Sequence, residues 1–503
     1  MKYFLTYDVG TTSVKTCIFN EQLKMQGYSN EEYELITKAG GIVEAIPARY
    51  WEAVQSGTLR ACQNAGVAPA QISAISITTQ GETLIPVDQE GEALYNAIVW
   101  LDERAGKEAE ELSRRFDATQ FYAKTGITEL NGYVPVAKLV WIQKHLPEVY
   151  AQTYKFLLLE DYLIMRLTGA FVSEKALLST SGWFDIADDC IWQEMLDAAG
   201  LDAQKLPDAK ECGWIVDMPV RPEVRAALGL SENIVVVTSA MDQTTAALGA
   251  GNIIPGIVTE TTGTGMCIGA TVTKPDFYDA SRVNLYRHIE AGKYLIIPVC
   301  MTAGMVLKWF KDEFCKWEQE EAKTRGCSAY DIISEQVAQI PPLANGLMLI
   351  PYLTGTLQPD NNPDARGIFY GVGLDTKRAH FQRAIFEAIA YMLRENVELI
   401  ERVEHIHATE IRALGGGAKS KVWRQIKADV NATRIVSMCE EECSSLGAAM
   451  LAAVALGVYP NAETAASAGN RVAEGLEPNA SLANAYDAAF EKYKKLYQVT
   501  KGL

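Results

Sequence analysis

Two segments half a chain apart repeat one design. Near the start, an apolar run from Lys2 to Tyr7 enters Asp8-Val9-Gly10-Thr11-Thr12-Ser13 and leaves into a second apolar run, Val14 to Phe19. Later, Thr259-Glu260-Thr261-Thr262-Gly263-Thr264-Gly265-Met266-Cys267-Ile268 again sets a Gly-Thr turn between two strand-forming runs. Gly10 and Gly263 stand 253 positions apart in a chain of 503 residues. Asp, Gly, Ser and Thr all favour tight turns, so one such hairpin says little. Two of them, each opening one half of the chain, predict a duplicated α/β domain. Its paired hairpins would turn backbone N–H groups and hydroxyls toward an anion across a cleft.

Length agrees, since 503 residues exceed what one core usually holds. Lys plus Arg number 46 against 63 Asp plus Glu, a net charge of −17. That balance argues against nucleic acid or an anionic membrane as the main partner, while a phosphorylated ligand needs only local donors. The sequence has no apolar run long enough for a transmembrane helix. It also lacks the residue order of a signal peptide, so a cytoplasmic location is expected. The ten Cys residues are scattered. Cys439 with Cys443, and His405 with His407, fall short of the four ligands of a zinc site and read as incidental.

Strand-like and helical runs alternate. Ile72–Thr78, Phe156–Leu159, Ile234–Thr238, Ile257–Thr262, Tyr294–Val299 and Ile411–Leu414 read as strands. Ala48–Asn64, Asp102–Phe116, Lys138–His145 and His380–Val403 read as helices. Leu248–Pro255, rich in Gly and ending in Pro, is the expected junction, giving domains 1–248 and 249–503. A third glycine site, Leu414-Gly415-Gly416-Gly417-Ala418-Lys419-Ser420, follows a strand and precedes a helix. Ala418 stands where a Walker A motif needs Gly, and the dinucleotide spacing is absent. Three glycines in a row still allow a flat ligand to approach the backbone.

Two further segments carry a resemblance: Tyr133-Val-Pro135-Val-Ala-Lys138-Leu-Val-Trp141-Ile-Gln-Lys144-His145, and Gly367-Ile-Phe369-Tyr-Gly371-Val372 with the later His380-Phe381-Gln-Arg-Ala384-Ile-Phe-Glu387. The chain resembles the FGGY carbohydrate kinases, of the actin, hexokinase and Hsp70 ATPase superfamily, over nearly its whole length. The resemblance implies two duplicated ribonuclease H-like domains flanking a catalytic cleft, with ATP and Mg2+ as cofactors. It implies Asp8 as the metal-side carboxylate, acting mostly through water. Gly10, Thr11, Thr12 and Ser13 would form the first phosphate loop, with Lys15 as the basic residue beside it. Thr262, Gly263, Thr264 and Gly265 would form the second loop, and Gly415, Gly416, Gly417 and Ala418 the adenine and ribose border. Ser445, ahead of the small-residue helix Leu446–Ala453, is placed either near the nucleotide or in a packed core.

In-line phosphoryl transfer needs positioning, charge stabilisation and a base for the alcohol proton. The resemblance gives that role to Asp242, although Asp after a strand is also an ordinary helix N-cap. Gln80, Gly81, Glu82, Trp100, Asp102, Tyr133, Asp242 and Gln243 would line the sugar pocket, with Trp100 against C–H faces. A buried Trp and a surface Asp102–Arg104 pair are the plain readings of two of these.

The pocket is similar to that of glycerol kinases, with two departures. Gly81 stands where that branch has Arg, and Cys267 where it has Phe, which implies a roomier pocket. The Met-His of the xylulokinase branch is also absent at Gly81-Glu82. A four- or five-carbon ketose or polyol is expected, xylulose first, with glycerol, tetritols and pentitols as alternatives. An actin- or Hsp70-like ATPase without sugar transfer is the alternative of another class. Domain closure around the sugar is expected, and a homodimer is left open.

Overall fold

Phe4, Leu5, Thr6, Tyr7 and Val9 are all buried along β1 (Tyr3–Val9), so both faces of this strand are covered. Such a strand belongs in the middle of a sheet, and β1 sits there. The computed structural model describes residues 2–278, 281–469 and 471–502. In it β1 turns at Asp8–Ser13 into antiparallel β2 (Ser13–Asn20), which pairs with β3 (Met25–Glu32). On its other side β1 pairs in parallel with β4 (Ile72–Thr79), and β4 with β5 (Val235–Val237). The sheet order is β5-β4-β1-β2-β3.

Helix α1 (Pro47–Ala65) starts on a proline, whose fixed φ suits a first turn, and stops at Gly66 in the left-handed region. Tyr50, Ala53, Val54, Gly57 and Ala61 recur at helical spacing and are its buried stripe. It packs on β2 and β3. Further helices of this unit are α2 (Pro135–His145), α3 (Leu159–Thr168) and α4 (Asp242–Gly249).

The second hairpin repeats the first. Strands β6 (Ile257–Thr262) and β7 (Met266–Val272) are antiparallel, and β6 pairs in parallel with β8 (Glu410–Leu414). Next come parallel β9 (Arg434–Met438) and antiparallel β10 (Val472–Leu476), giving the run β7-β6-β8-β9-β10. A hairpin with two parallel strands added beside its first arm therefore occurs twice, and the duplication read from the two Gly-Thr turns stands. Helices α5 (Gly304–Phe314), α6 (Arg378–Glu404) and α7 (Lys421–Asn431) belong to this second unit.

By contact density, unit 1 holds Met1–Ile253, Thr273–Leu295 and Glu442–Arg471, and unit 2 holds Ile254–Val272, Ile296–Glu441 and Val472–Leu503. The first change of unit falls within the segment Leu248–Pro255. Two later stretches return to unit 1, which a division into halves does not contain. One return carries the small-residue helix Cys443–Ala455, which packs on α4, β1 and β4. Ser445 on it is fully buried, so core packing accounts for that segment.

Two expectations need correction. The helix expected over Asp102–Phe116 is only Gly106–Ser113. Asp102 Oδ1 accepts the Arg104 N–H at 3.0 Å, a local side-chain turn that competes with helix formation. Met241, not Asp242, holds the N-cap position of α4, without a side-chain cap. Among the described residues no helix is long and apolar enough to cross a membrane.

Candidate functional site

The register of the unit 1 sheet brings three carboxylates to one end. Asp8 lies level with Thr78, and Val9 with Thr79, while Thr79 bridges Met241 in parallel. The carboxyl ends of β1, β4 and β5 thus finish together and deliver Asp8, Glu82 and Asp242. That end of an open parallel sheet is where α/β folds bind ligands. Asp242 Oδ1 accepts the Gln243 N–H at 2.7 Å. The loop before it is anchored, since Thr78 Oγ1 donates to Ala240 O at 2.7 Å and meets Thr245 Oγ1 at 2.7 Å.

These groups shift one another. Burial, with the like charges of Asp8 and Glu82, pushes Asp242 up to about 7, opposed by the Gln243 N–H. Burial lifts Asp8 to about 6, with Lys15 opposing and Glu442 adding. Glu82 is raised by burial against the opposing charge of Lys138, whose own affinity for a proton burial lowers. Lys138, from the first family-like segment, donates to the carbonyls of Glu82 at 2.9 Å and Val99 at 3.0 Å. Glu82 has φ of 54°, an uncommon backbone for a non-glycine residue, and the Lys138 bond holds its carbonyl there.

The other sugar-side residues divide. Trp100 is partly exposed, and its Nε1 donates to Thr11 Oγ1 of the first hairpin at 3.0 Å. Tyr133 donates to Glu103, and Gln80 Nε2 to Thr83 Oγ1 at 3.1 Å. The side chain of Gln243 is half-buried beside Asp242. Asp102 is fully buried and turned to structure. Its Oδ2 accepts the Val43 N–H at 2.6 Å and Arg104 at 2.7 Å, and Arg104 also binds Glu44 at 2.7 Å. The Asp102–Arg104 pair is therefore an interior one, not a surface one.

Gly81 does not open empty space. A Cβ there would lie 3.1 Å from Thr180 Cγ2 and 3.4 Å from Met241 Sδ, so Thr180 and Met241 occupy room the sequence assigned to the ligand. Thr180 lies about a hundred residues away and carries no local signal of that role. Tyr33 is another residue missed: its N–H donates to Thr12 O at 2.9 Å and its hydroxyl to Gly10 O, which clamps the first hairpin tip. Beside that tip, Lys15 pairs with Glu442 at 2.7 Å.

In unit 2 the hairpin tip is exposed at Gly263 and Thr264. The Gly304 N–H donates to Gly263 O at 2.9 Å, and the Ala303 and Met305 N–H groups to Thr264 O at 3.0 and 3.1 Å. The start of α5 thus fixes the turn. Gly415 and Gly416 are exposed, while Gly417 is buried against Thr262, where a Cβ would come within 2.6 Å of Thr262 Cβ. Ala418 is half-buried in the same short turn, and Cys267 lies on β7 level with Thr261.

Behind Thr262 stands a pair that no local sequence signal joins. Lys427 Nζ donates to Glu260 Oε1 at 2.8 Å and Thr262 Oγ1 at 2.9 Å, with Lys427 and Glu260 both fully buried. Removing one member leaves a buried unpaired charge. Lys427→Met is expected to lower unfolding free energy by about 3–5 kcal/mol. The Lys427→Met/Glu260→Met double variant recovers much of that loss, as urea denaturation would measure.

Residues 3–249 match the N-terminal domain of the FGGY family of carbohydrate kinases, and residues 259–456 its C-terminal domain. A xylulose kinase of Bacillus subtilis (strain 168) is 30% identical, across 100% of this chain and 98% of its own length. A gluconokinase of Bacillus licheniformis is 29% identical over 90% of this chain and 88% of that protein. Among solved structures, a xylulose kinase from Lactobacillus acidophilus superposes with a TM-score of 0.88 at 26% identity, covering 99% of this chain and 98% of that one.

Proposed function

The chain belongs to the FGGY family of carbohydrate kinases, and on that premise we propose that it phosphorylates a hydroxyl of a small, uncharged open-chain sugar, a pentulose such as xylulose first. The observation that carries this reading is the trio Asp8, Glu82 and Asp242 at the ends of three adjacent strands, with Asp242 raised to about 7. A base whose pKa lies near the working pH combines availability with driving force.

Kinases of this family use ATP with a divalent metal, which would supply the γ-phosphoryl group and neutralise its developing charge. The residues fit such a ligand. A Cβ added at Gly263 would meet no atom within 4 Å, so a phosphate can approach that turn. Thr262–Gly265 and Gly10–Ser13 would hold phosphate oxygens, and Gly415–Ala418 the nucleoside. Among the described residues no group of three His, Cys, Asp or Glu side chains has the geometry of a metal site. Mg2+ keeps most of its waters and takes one or two carboxylates, of which Asp8 would be one.

Asp242 would accept the proton of the attacking hydroxyl on the oxygen not bonded to Gln243, as that hydroxyl oxygen bonds the γ-phosphorus and the γ-phosphorus bond to the departing ADP breaks. Glu82 accepts from sugar hydroxyls, and Trp100 covers a C–H face. Xylulose kinase relatives matching over the full length support a pentulose. The acidity of the site supports a neutral sugar over the carboxylate substrate that the name gluconokinase implies. Arg104, the nearby guanidinium, is already held by Asp102 and Glu44. Thr180 and Met241 against Gly81 narrow the pocket from the size that the glycine alone implied.

A coupled ADP-release assay across pentuloses, pentitols, tetritols, glycerol and gluconate tests this. The highest kcat/KM is expected for a pentulose. A higher value for gluconate or glycerol would overturn the substrate assignment, and ADP release independent of any sugar would overturn the kinase reading.

A further inference from the structure

The loop that delivers Asp242 has one support with no local explanation. The Ser239 N–H donates to Glu160 Oε1 at 2.8 Å, across 79 positions of sequence. Glu160 lies on α3 and is fully buried, as are its acidic neighbours Asp161 and Glu174. Its second oxygen, Oε2, has no hydrogen-bond partner among the described residues, nor has Ser239 Oγ.

A buried carboxyl among like groups is a poor core residue, because a hydrophobic side chain of the same volume would remove both desolvation and repulsion. Burial and the charges of Glu174 and Asp161 together drive Glu160 well above the usual carboxylate range. Among the described residues the one hydrogen bond of its side chain goes to the loop. The other anchors lie on either side of Ser239: Thr238 is held by Trp214 and Glu211, Ala240 by Thr78 and Met241 by Thr79. Glu160 therefore holds the middle of the loop, at Ser239.

We propose that Glu160 is a positioning residue: by accepting the Ser239 N–H it fixes the path of the loop that aims Asp242 at the sugar hydroxyl. This rests on the reading of Asp242 as the base. An error of about 1 Å in placing a reacting group can cost on the order of 100-fold in rate. A role through Asp242 therefore predicts a loss in kcat, not in binding or in stability.

Three variants, Glu160→Met, Glu160→Gln and Asp242→Asn, are compared for kcat, sugar KM, ADP affinity and Tm. Glu160→Met is expected to lose about 10- to 100-fold in kcat, with KM and ADP affinity within about 3-fold and Tm equal to or above wild type. Glu160→Gln keeps an oxygen acceptor and no charge, and restores kcat to within about 3-fold of wild type. A folded Glu160→Met enzyme with wild-type kcat overturns the proposal, and so does a Gln variant as impaired as Met. Should the Met variant not fold, hydrogen exchange at the Ser239 amide decides. Protection in both wild type and Glu160→Gln supports the bond, and fast exchange in wild type overturns it. Wild-type turnover in Asp242→Asn would instead sink the base assignment itself, whatever Glu160 does.

Discussion

Asp242→Asn lowers kcat by about 100- to 10,000-fold, the range for removal of a positioned general base, while ADP affinity stays within a few-fold of wild type. Asn keeps the size of Asp and can still accept the Gln243 N–H, so the start of α4 is not disturbed. What it loses is an oxygen able to take a proton. Single-turnover transfer measured beside ADP titration separates the two effects. Turnover within a few-fold of wild type would remove Asp242 from the chemistry.

The same carboxylate fixes the sign of two pH effects. With Asp242 raised to about 7 and Asp8 to about 6, kcat/KM rises with pH through an acid limb near neutrality. The limb belongs to the interacting set more than to one residue. Stability runs the other way. Between the unfolded value of 3.8 and the folded value of about 7, the folded state binds the extra proton, so stability falls as pH rises across that window. Asp242→Asn should therefore raise the unfolding free energy above pH 7, by an amount on the order of a few kcal/mol, and leave it unchanged below pH 4. Loss of activity with gain of stability is the mark of a strained functional site.

Both hairpins could be read in the sequence because a turn writes its chemistry locally. Asp8–Ser13 and Thr262–Gly265 each hold the Gly and Thr residues that the turn needs. Most strand runs were equally legible, because a buried strand is an apolar run. The run Tyr294–Val299 is instead two short strands, Tyr294–Ile296 and Val299–Cys300, parted at Pro298, which has no N–H to donate. The partners that tune the site were not. Lys427 meets Glu260 across 167 positions, and Thr180 reaches Gly81 across about a hundred. Nothing in a local window marks a Lys or a Thr as the far half of such a contact. Asp102 shows the converse. A carboxylate beside Arg104 in a family-like segment reads as a ligand, yet four hydrogen bonds turn it to the interior. The return of Glu442–Arg471 to unit 1 was also hidden, because Gly, Ala and Met in a helix indicate burial without naming the surface that buries them.

That returning helix carries the largest stability effect expected of a single substitution. A Cβ at Gly447 would lie 2.0 Å from Thr245 O and 2.8 Å from Thr245 C. One at Gly249 would lie 1.9 Å from Cys443 O and 2.9 Å from Gly447 N. The obstacles are backbone atoms, which cannot rotate aside like a side chain. The helix Cys443–Ala455 and α4 therefore touch main chain to main chain, through a glycine on each. Ordinary overpacking costs about 1–3 kcal/mol because neighbours repack. Here the two helices must separate, and Gly447→Val is expected to cost more than about 4 kcal/mol, in the range that marks a specific structural clash. Gly447→Ala is the informative variant, since it has the same first clash and a smaller bulk. Because α4 begins at Asp242, pushing it off the returning helix also moves the base. Gly447→Ala should thus lower both Tm and kcat, the latter by about 10- to 100-fold. Gly106→Ala is the control: it opens its own helix, and a Cβ there would meet nothing within 4 Å. It should leave kcat unchanged and stability equal or higher by up to about 1 kcal/mol. Equal Tm and kcat in Gly447→Ala and Gly106→Ala would show that the two helices are not in backbone contact, and that Asp242 does not depend on them for its place.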